Sequence, residues 1–375
     1  MISLPRPTGR RIHTPMSAAT PTELTEQMTL QRRTVDFDTF DIHVQQLLTM
    51  LSEDQISIAP AYQRQFRWDE ARCSQLIESL VLGIPIPNLF MATNSDNSWE
   101  VVDGLQRLCT IVKFAGNAEL RAKLKLGDQL VLSQLQKISK FNGATFSSLP
   151  PHIQQHVRTR PLKVVTLNDK SDTVVRFDLF ERLNTGGIAL TQQEIRACVY
   201  GGQFSDKLDE LRQIDDFKTV VKLTERQKAD GTAEECVLRY FAFLDRYMAF
   251  DHSVRDFLNS YMKDESSKPF KFGGRESEFR TVFAELARVF PEGIMRPHRK
   301  GNTPLNLYEG VAVGAALAVR QHKTLDATGL SVWMGSDELR SYTSAATNNR
   351  DSVRGRIEFC RDRFLGVPYV QSSAD

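Results

Sequence analysis

Val101-Val102-Asp103-Gly104-Leu105-Gln106-Arg107 runs without a break into Leu108-Cys109-Thr110-Ile111-Val112-Lys113-Phe114. Two β-branched residues lead into an acid, a glycine and an arginine, and an apolar helical run follows. The pattern predicts a strand, a tight turn and a helix N-terminus, so a mixed α/β fold around this junction. Such a corner presents backbone N–H groups and the positive end of a helix dipole to an anion. Arg107 adds a planar fork of donors that suits phosphate. Asp103 has two readings: it can hold a divalent ion or orient water, or it can cap the following helix. Asp-Gly-x-x-Arg is a weak signal alone, because Asp-Gly is also a common turn.

Two further segments give it company. Upstream lies Pro60-Ala61-Tyr62-Gln63-Arg64-Gln65-Phe66-Arg67-Trp68, three aromatics and two arginines in one short run, followed by Leu76-Ile77-Glu78-Ser79-Leu80-Val81-Leu82-Gly83. Downstream, Phe180-Glu181-Arg182-Leu183-Asn184-Thr185-Gly186-Gly187 leads into Leu190-Thr191-Gln192-Gln193-Glu194-Ile195-Arg196. In this order and spacing the three segments resemble the N-terminal domain of GmrSD-type modification-dependent restriction endonucleases, over roughly residues 35–205. Asp103, Gly104, Gln106 and Arg107 match that family's Asp-Gly-Gln-Gln-Arg, and Leu105 replaces its first glutamine. Tyr62-Gln63-Arg64 matches fully.

The resemblance implies a ParB/sulfiredoxin-like domain at 35–205; a Pro-, Thr-, Ser- and Arg-rich composition predicts a flexible arm at 1–34 before it, and helical periodicity an all-α domain at 206–375 after it, an α+β chain in all. The resemblance also implies a module that binds and hydrolyses a nucleoside triphosphate with Mg2+. Arg64 and Arg107 would neutralise phosphate charge, Gln106 would orient water, and Asp103 would hold the metal or act as base. Tyr62, Gln63, Gly104, Asn184 and Thr185 would line the nucleotide site. The alternatives are that Tyr62, Phe66 and Trp68 belong to the core, and that Asn184-Thr185-Gly186-Gly187 merely ends a helix. Leu105 lacks the donors and acceptor of glutamine, so binding is expected to survive and hydrolysis to be slower or differently tuned.

Composition narrows the class. With 48 Lys plus Arg against 46 Asp plus Glu there is no overall basic character, so any contact with DNA must come from a local patch. The apolar run Gly310–Val319 is too short to cross a bilayer, and no secretion signal opens the chain, so a cytoplasmic protein is expected. Cys73, Cys109, Cys198, Cys236 and Cys360 fall in helical segments without metal-ligand spacing, which predicts buried thiols. Sulfiredoxin is a redox enzyme, but Cys109 stands beyond the turn, inside the helix, and a redox role is not expected. Seven histidines show no HNH-like spacing, and His152 and His156 read as a polar surface pair, so no nuclease centre of the chain's own is expected. A separate nuclease or defence-system subunit is then the expected partner. Two competing readings are a ParB-like DNA-binding protein using Arg6, Arg10, Arg11, Arg296, His298, Arg299 and Lys300, and a nuclease with an unrecognised metal site.

Local signals place the elements. Asp69 caps a helix through Leu82; 89–92 and 99–102 read as strands; Gly116 ends the helix begun after Asp103; and 162–167 returns as a strand. A helix over 171–183 is expected before the Asn184 turn. Thr191 and Glu194 form a capping box. Beyond 205 only helical periodicity appears, on the stripe Val237, Tyr240, Phe241, Leu244, Tyr247, Met248 and at about 253–262, 276–290, 305–322, 335–345 and 351–364.

Overall fold

The computed structural model describes residues 20–31, 36–58, 66, 68–94, 96–168, 177, 182, 191–297, 301–321, 324–344 and 347–369. The expected arm contains a helix, α1 (Pro21–Gln31), which corrects the reading of an irregular tail. Thr20 N donates to Glu23 Oε2 at 2.7 Å, Glu23 N donates to Thr20 Oγ1 at 3.3 Å, and Pro21 opens the first turn. That reciprocal cap was readable in Thr20-Pro21-Thr22-Glu23.

Five strands form one sheet in the order β1-β5-β3-β4-β2: β1 (Phe37–His43), β2 (Ile56–Ser57), β3 (Leu89–Thr93), β4 (Trp99–Asp103) and β5 (Pro161–Leu167). β1 pairs antiparallel with β5 and β3 with β4, while β5–β3 and β4–β2 are parallel. The sheet curls strongly. Phe40, on one edge strand, reaches Trp99 beside the other, with ring centroids 5.5 Å apart.

α2 (Val44–Ser52) follows β1, and α3 (Glu70–Leu82) and α4 (Leu105–Ala115) pack on the sheet with each other. Asp69 Oδ1 accepts from Arg72 N at 2.8 Å, as its position predicts, and Gly83 closes α3 at φ +76°. α4 buries Leu105, Leu108, Ile111, Val112 and Phe114. α5 (Ala118–Lys123) and α6 (Pro151–Arg158) complete the stretch before β5.

No β-strand follows β5 among the described residues. The helices are α7 (Gln192–Val199), α8 (Gln203–Leu211), α9 (Asp215–Val220), α10 (Glu225–Ala229), α11 (Thr232–Arg246), α12 (Val254–Ser266), α13 (Gly273–Val289), α14 (Leu305–Val319), α15 (Leu330–Trp333), α16 (Asp337–Thr343) and α17 (Arg350–Phe364). None of the described helices is long and apolar enough to cross a membrane. Phe217, Tyr240, Phe241, Phe279 and Phe283 interlock at the centre, with Phe279 and Phe283 stacked at 4.2 Å.

α14 is apolar almost all round, Glu309 apart, because it is enclosed. Gly310 and Gly314, one turn apart, let α17 approach closely. A Cβ on Gly314 would lie 2.7 Å from Arg361 N and 2.8 Å from Cys360 Cβ. Gly→Ala inside a helix ordinarily stabilises by about 1 kcal/mol. Here Gly314→Ala is expected to destabilise by about 1–3 kcal/mol, because backbone must move to admit the methyl group. A urea midpoint that rises in this variant would show that the two helices are not held so tightly.

Candidate functional site: the strand-to-helix turn

β4 carries Asp103 to the head of α4. Phe90 pairs with Asp103 and Met91 with Val101, so one step on β3 answers two on β4. Val102 is thus the extra residue of a bulge, a device that re-aims the side chain that follows. Gly104 then takes φ +99°, ψ 12° as the N-cap of α4. A Cβ there would collide with Leu89 Cδ2 and lie 3.0 Å from Arg107 Nη2, so the position needs glycine for both conformation and space.

Among the described residues no side-chain cap of α4 is seen at its N-cap, Gly104, and its first turn contains no acid. The reading of Asp103 as the helix cap is therefore corrected. Asp103 Oδ2 instead accepts from Arg107 Nη2 at 2.6 Å, an i,i+4 pair that folds the guanidinium back over Gly104. The arginine side chain keeps 11% of its exposure and the aspartate 31%, so the carboxylate is the more open of the two. Leu105, where the family has glutamine, is buried in the core.

Gln106 joins the turn to the aromatic segment. Its Oε1 accepts from Trp68 N at 3.2 Å, while Thr110 Oγ1 donates to Gln106 O at 2.7 Å and to Cys73 Sγ at 3.3 Å. Trp68 and Phe66 are partly buried against the core, and each carries a cation on its face: Arg72 lies 4.9 Å from the Trp68 ring and Lys113 5.9 Å from that of Phe66. The two segments that the sequence reading joined on spacing therefore meet at Gln106. Tyr62, Gln63, Arg64, Arg67, Glu181, Asn184, Thr185, Gly186 and Gly187 lie outside the described residues, as does the helix expected over 171–183 except for buried Phe177 and for Arg182, both helical. Arg182 is exposed.

The other candidates fall into place around this corner. The Thr191–Glu194 capping box is present. All five thiols are free and buried. Burial, with Cys73 nearby, pushes the Cys109 thiol up to about 12, and burial raises Cys73, Cys236 and Cys360 as well. A nucleophilic cysteine needs the opposite shift. His152 is exposed and His156 Nε2 sits 3.1 Å from Val81 O, beside the end of α3. Of the basic residues considered for DNA, Arg296 donates to Thr343 O at 2.8 Å and so closes α16; Arg6, Arg10, Arg11, His298, Arg299 and Lys300 lie outside the described residues.

Comparisons with known proteins bear on this geometry. Residues 46–201 match the family model described as the GmrSD restriction endonuclease, N-terminal domain. Among solved structures, a Pnob8-like ParB-N domain is similar at 12% identity and a TM-score of 0.22, covering 88% of this chain and 97% of that one. No curated protein sequence matches. The matched segment begins inside α2, contains the sheet from β2 to β5 with the Asp103–Arg107 turn, and ends just after α7. Over residues 46–201, then, this chain is similar to the N-terminal domain of GmrSD restriction endonucleases.

Proposed function

We propose that the Asp103–Arg107 turn binds the phosphates of a nucleoside triphosphate and hydrolyses it, in the service of a DNA restriction or phage-defence system. The match of residues 46–201 to a restriction endonuclease domain supports the second half of that reading. The observation that supports the first is the acid-free first turn of α4, entered through a glycine and overlaid by the Arg107 guanidinium. The amide end of a helix and a delocalised cation at one point suit a phosphate group.

Asp103 and Arg107 hold each other, and that pairing sets the chemistry. A phosphate oxygen can replace the carboxylate on Arg107, which frees Asp103. Mg2+ usually takes one or two protein carboxylates together with phosphate oxygens and water. The single carboxylate of Asp103 would suit an ion carried in on the nucleotide, which brings its other oxygen ligands with it. That ion would neutralise charge on the phosphates. Asp103 would accept a proton from the attacking water, Arg107 would stabilise the transferring phosphoryl group, and Gln106 would fix the turn against Trp68 while lining the water's approach. Arg64, Gln63 and Tyr62 would reach the phosphates from the segment that Trp68 anchors, and Asn184 and Thr185 would contact the nucleotide. DNA, and a nuclease or other defence subunit, are the partners this reading requires.

The test is nucleotide binding and Mg2+-dependent hydrolysis by the full chain and by Arg107→Ala. Loss of the guanidinium is expected to weaken binding and to lower turnover by about a thousandfold. Equal binding by the two proteins, or no hydrolysis of any of the four common ribonucleoside triphosphates, would overturn the reading.

A further inference from the structure

A second concave site lies in the helical half. A cavity of about 760 Å3 opens between the end of α8, α9 and the chain just after it, α10, the start of α11, and Glu292, Met295 and Gly301 beyond α13. Its floor is apolar, with Phe217, Val221, Leu223, Ala233 and Met295. Lys218, Lys222 and Lys228 also line it, and Glu292 is the acid among the described lining residues.

The Lys222 side of the cavity is built on fixed backbone. Lys222 N donates to Thr303 Oγ1 at 2.9 Å and Thr303 N donates to Lys222 O at 2.8 Å, while Ile294 N donates to Val220 O at 2.8 Å. Gly293, at φ +95°, admits the Lys222 stem, since a Cβ there would lie 2.6 Å from Lys222 Cγ. The Lys222 ammonium has no ion-pair partner among the described residues. Lys228 pairs with Glu225 at 2.7 Å and Lys218 with Asp215 at 3.9 Å, both in solvent, where such pairs contribute little and exchange freely. Arg212 is different: Asp209 and Glu234 hold it, so it serves as wall.

Volume and lining fall in the range of small-molecule sites, which combine apolar walls with a few polar groups that fix orientation. Three ammonium groups over a floor that includes Phe217 and a pliable methionine select a ligand with a multiply charged anionic end and a flat apolar body. We propose that this cavity binds an aromatic organic phosphate of mononucleotide size, independently of the Asp103–Arg107 turn. It gives the helical half a ligand of its own.

The test uses the full chain and anilinonaphthalene sulfonate, a fluorescent aromatic anion, displaced by adenosine monophosphate. Adenosine and inorganic phosphate each supply half of the chemistry and are expected to compete at least about tenfold more weakly. Lys222→Gln with Lys228→Gln is expected to weaken displacement by adenosine monophosphate about tenfold or more with the thermal midpoint unchanged. Arg107→Ala is expected to leave displacement intact, which separates this site from the turn. The proposal is overturned if adenosine competes as well as its monophosphate, if the double variant behaves as the parent, or if Arg107→Ala abolishes displacement. Failure of nucleotide hydrolysis at the turn would leave it standing.

Discussion

Glu309→Ala is expected to destabilise the folded chain by about 3–5 kcal/mol, the usual cost of removing one partner from a buried ion pair. Glu309 has no solvent exposure, and each of its carboxylate oxygens is taken by a guanidinium, Arg239 on one and Arg356 on the other. Arg239 also grips Glu235 through Nη2 at 2.6 Å and Nε at 2.8 Å, and Glu235 in turn holds Arg196. The result is a chain of alternating charge, Arg196–Glu235–Arg239–Glu309–Arg356, running from α7 through α11 and α14 to α17. Three arginines face two glutamates. Burial pushes the end member Arg196, with one carboxylate, down to about 10 although Glu235 opposes the shift. Arg239 has two carboxylates, which outweigh its burial and raise it. Without Glu309, Arg239 and Arg356 would confront each other away from water. Glu225→Ala, which breaks only an exposed pair with Lys228, is the control and should leave the denaturant midpoint where it was. A Glu309→Ala protein that unfolds at the parent's midpoint would show that the chain of charges is not the lock between these helices.

Such a lock is not a cheap way to gain stability. Replacing a whole buried ionic cluster with matched apolar residues is often neutral or stabilising. Its position suggests what it does instead: Arg196 lies inside the matched segment 46–201, whereas Glu235, Arg239, Glu309 and Arg356 belong to the helices beyond it. The charges fix one seating of α7 on α11, because a one-turn slip would leave a guanidinium unpaired.

Local rules explain why much of this was legible in the sequence. The caps at Asp69 and Thr191, and the helical periods beyond 205, depend on neighbours within four residues and stand in the structure close to where they were read. The strand–glycine–helix corner at 101–107 was legible for the same reason. β1 was not: Phe37, Asp38, Thr39, Phe40, Asp41 and His43 are all exposed, so no alternation of burial marks the strand. Neither could the ionic chain be read, since its five members are spread from 196 to 356 and no spacing joins them. The mutual pairing of Asp103 and Arg107 had a signal, the i,i+4 spacing of opposite charges, that the phosphate reading passed over. The lysine-lined cavity left no trace because Phe217, Lys222 and Met295 come together only through tertiary packing.

That overlooked pairing yields the sharper test of the turn. Asp103→Asn keeps the shape and an acceptor for Arg107 Nη2, but removes a negative charge from the mouth of an amide-lined corner. If Asp103 serves as metal ligand and base, Mg2+-dependent hydrolysis should fall by about 10²–10⁴-fold. Metal-free nucleotide binding should hold or strengthen, because the carboxylate that competes for Arg107 is gone. Arg107→Ala must behave differently: it leaves Asp103 as an unneutralised anion facing the phosphates, so binding and turnover fall together. Folding should be nearly unaffected in the asparagine variant, since the pair is partly open to solvent and such pairs contribute little. The informative outcome is therefore a split in sign, binding retained and catalysis lost in one variant, both lost in the other. Parent-level hydrolysis by Asp103→Asn would reduce this aspartate to a tether for the arginine, and the source of the base would have to be sought in another segment.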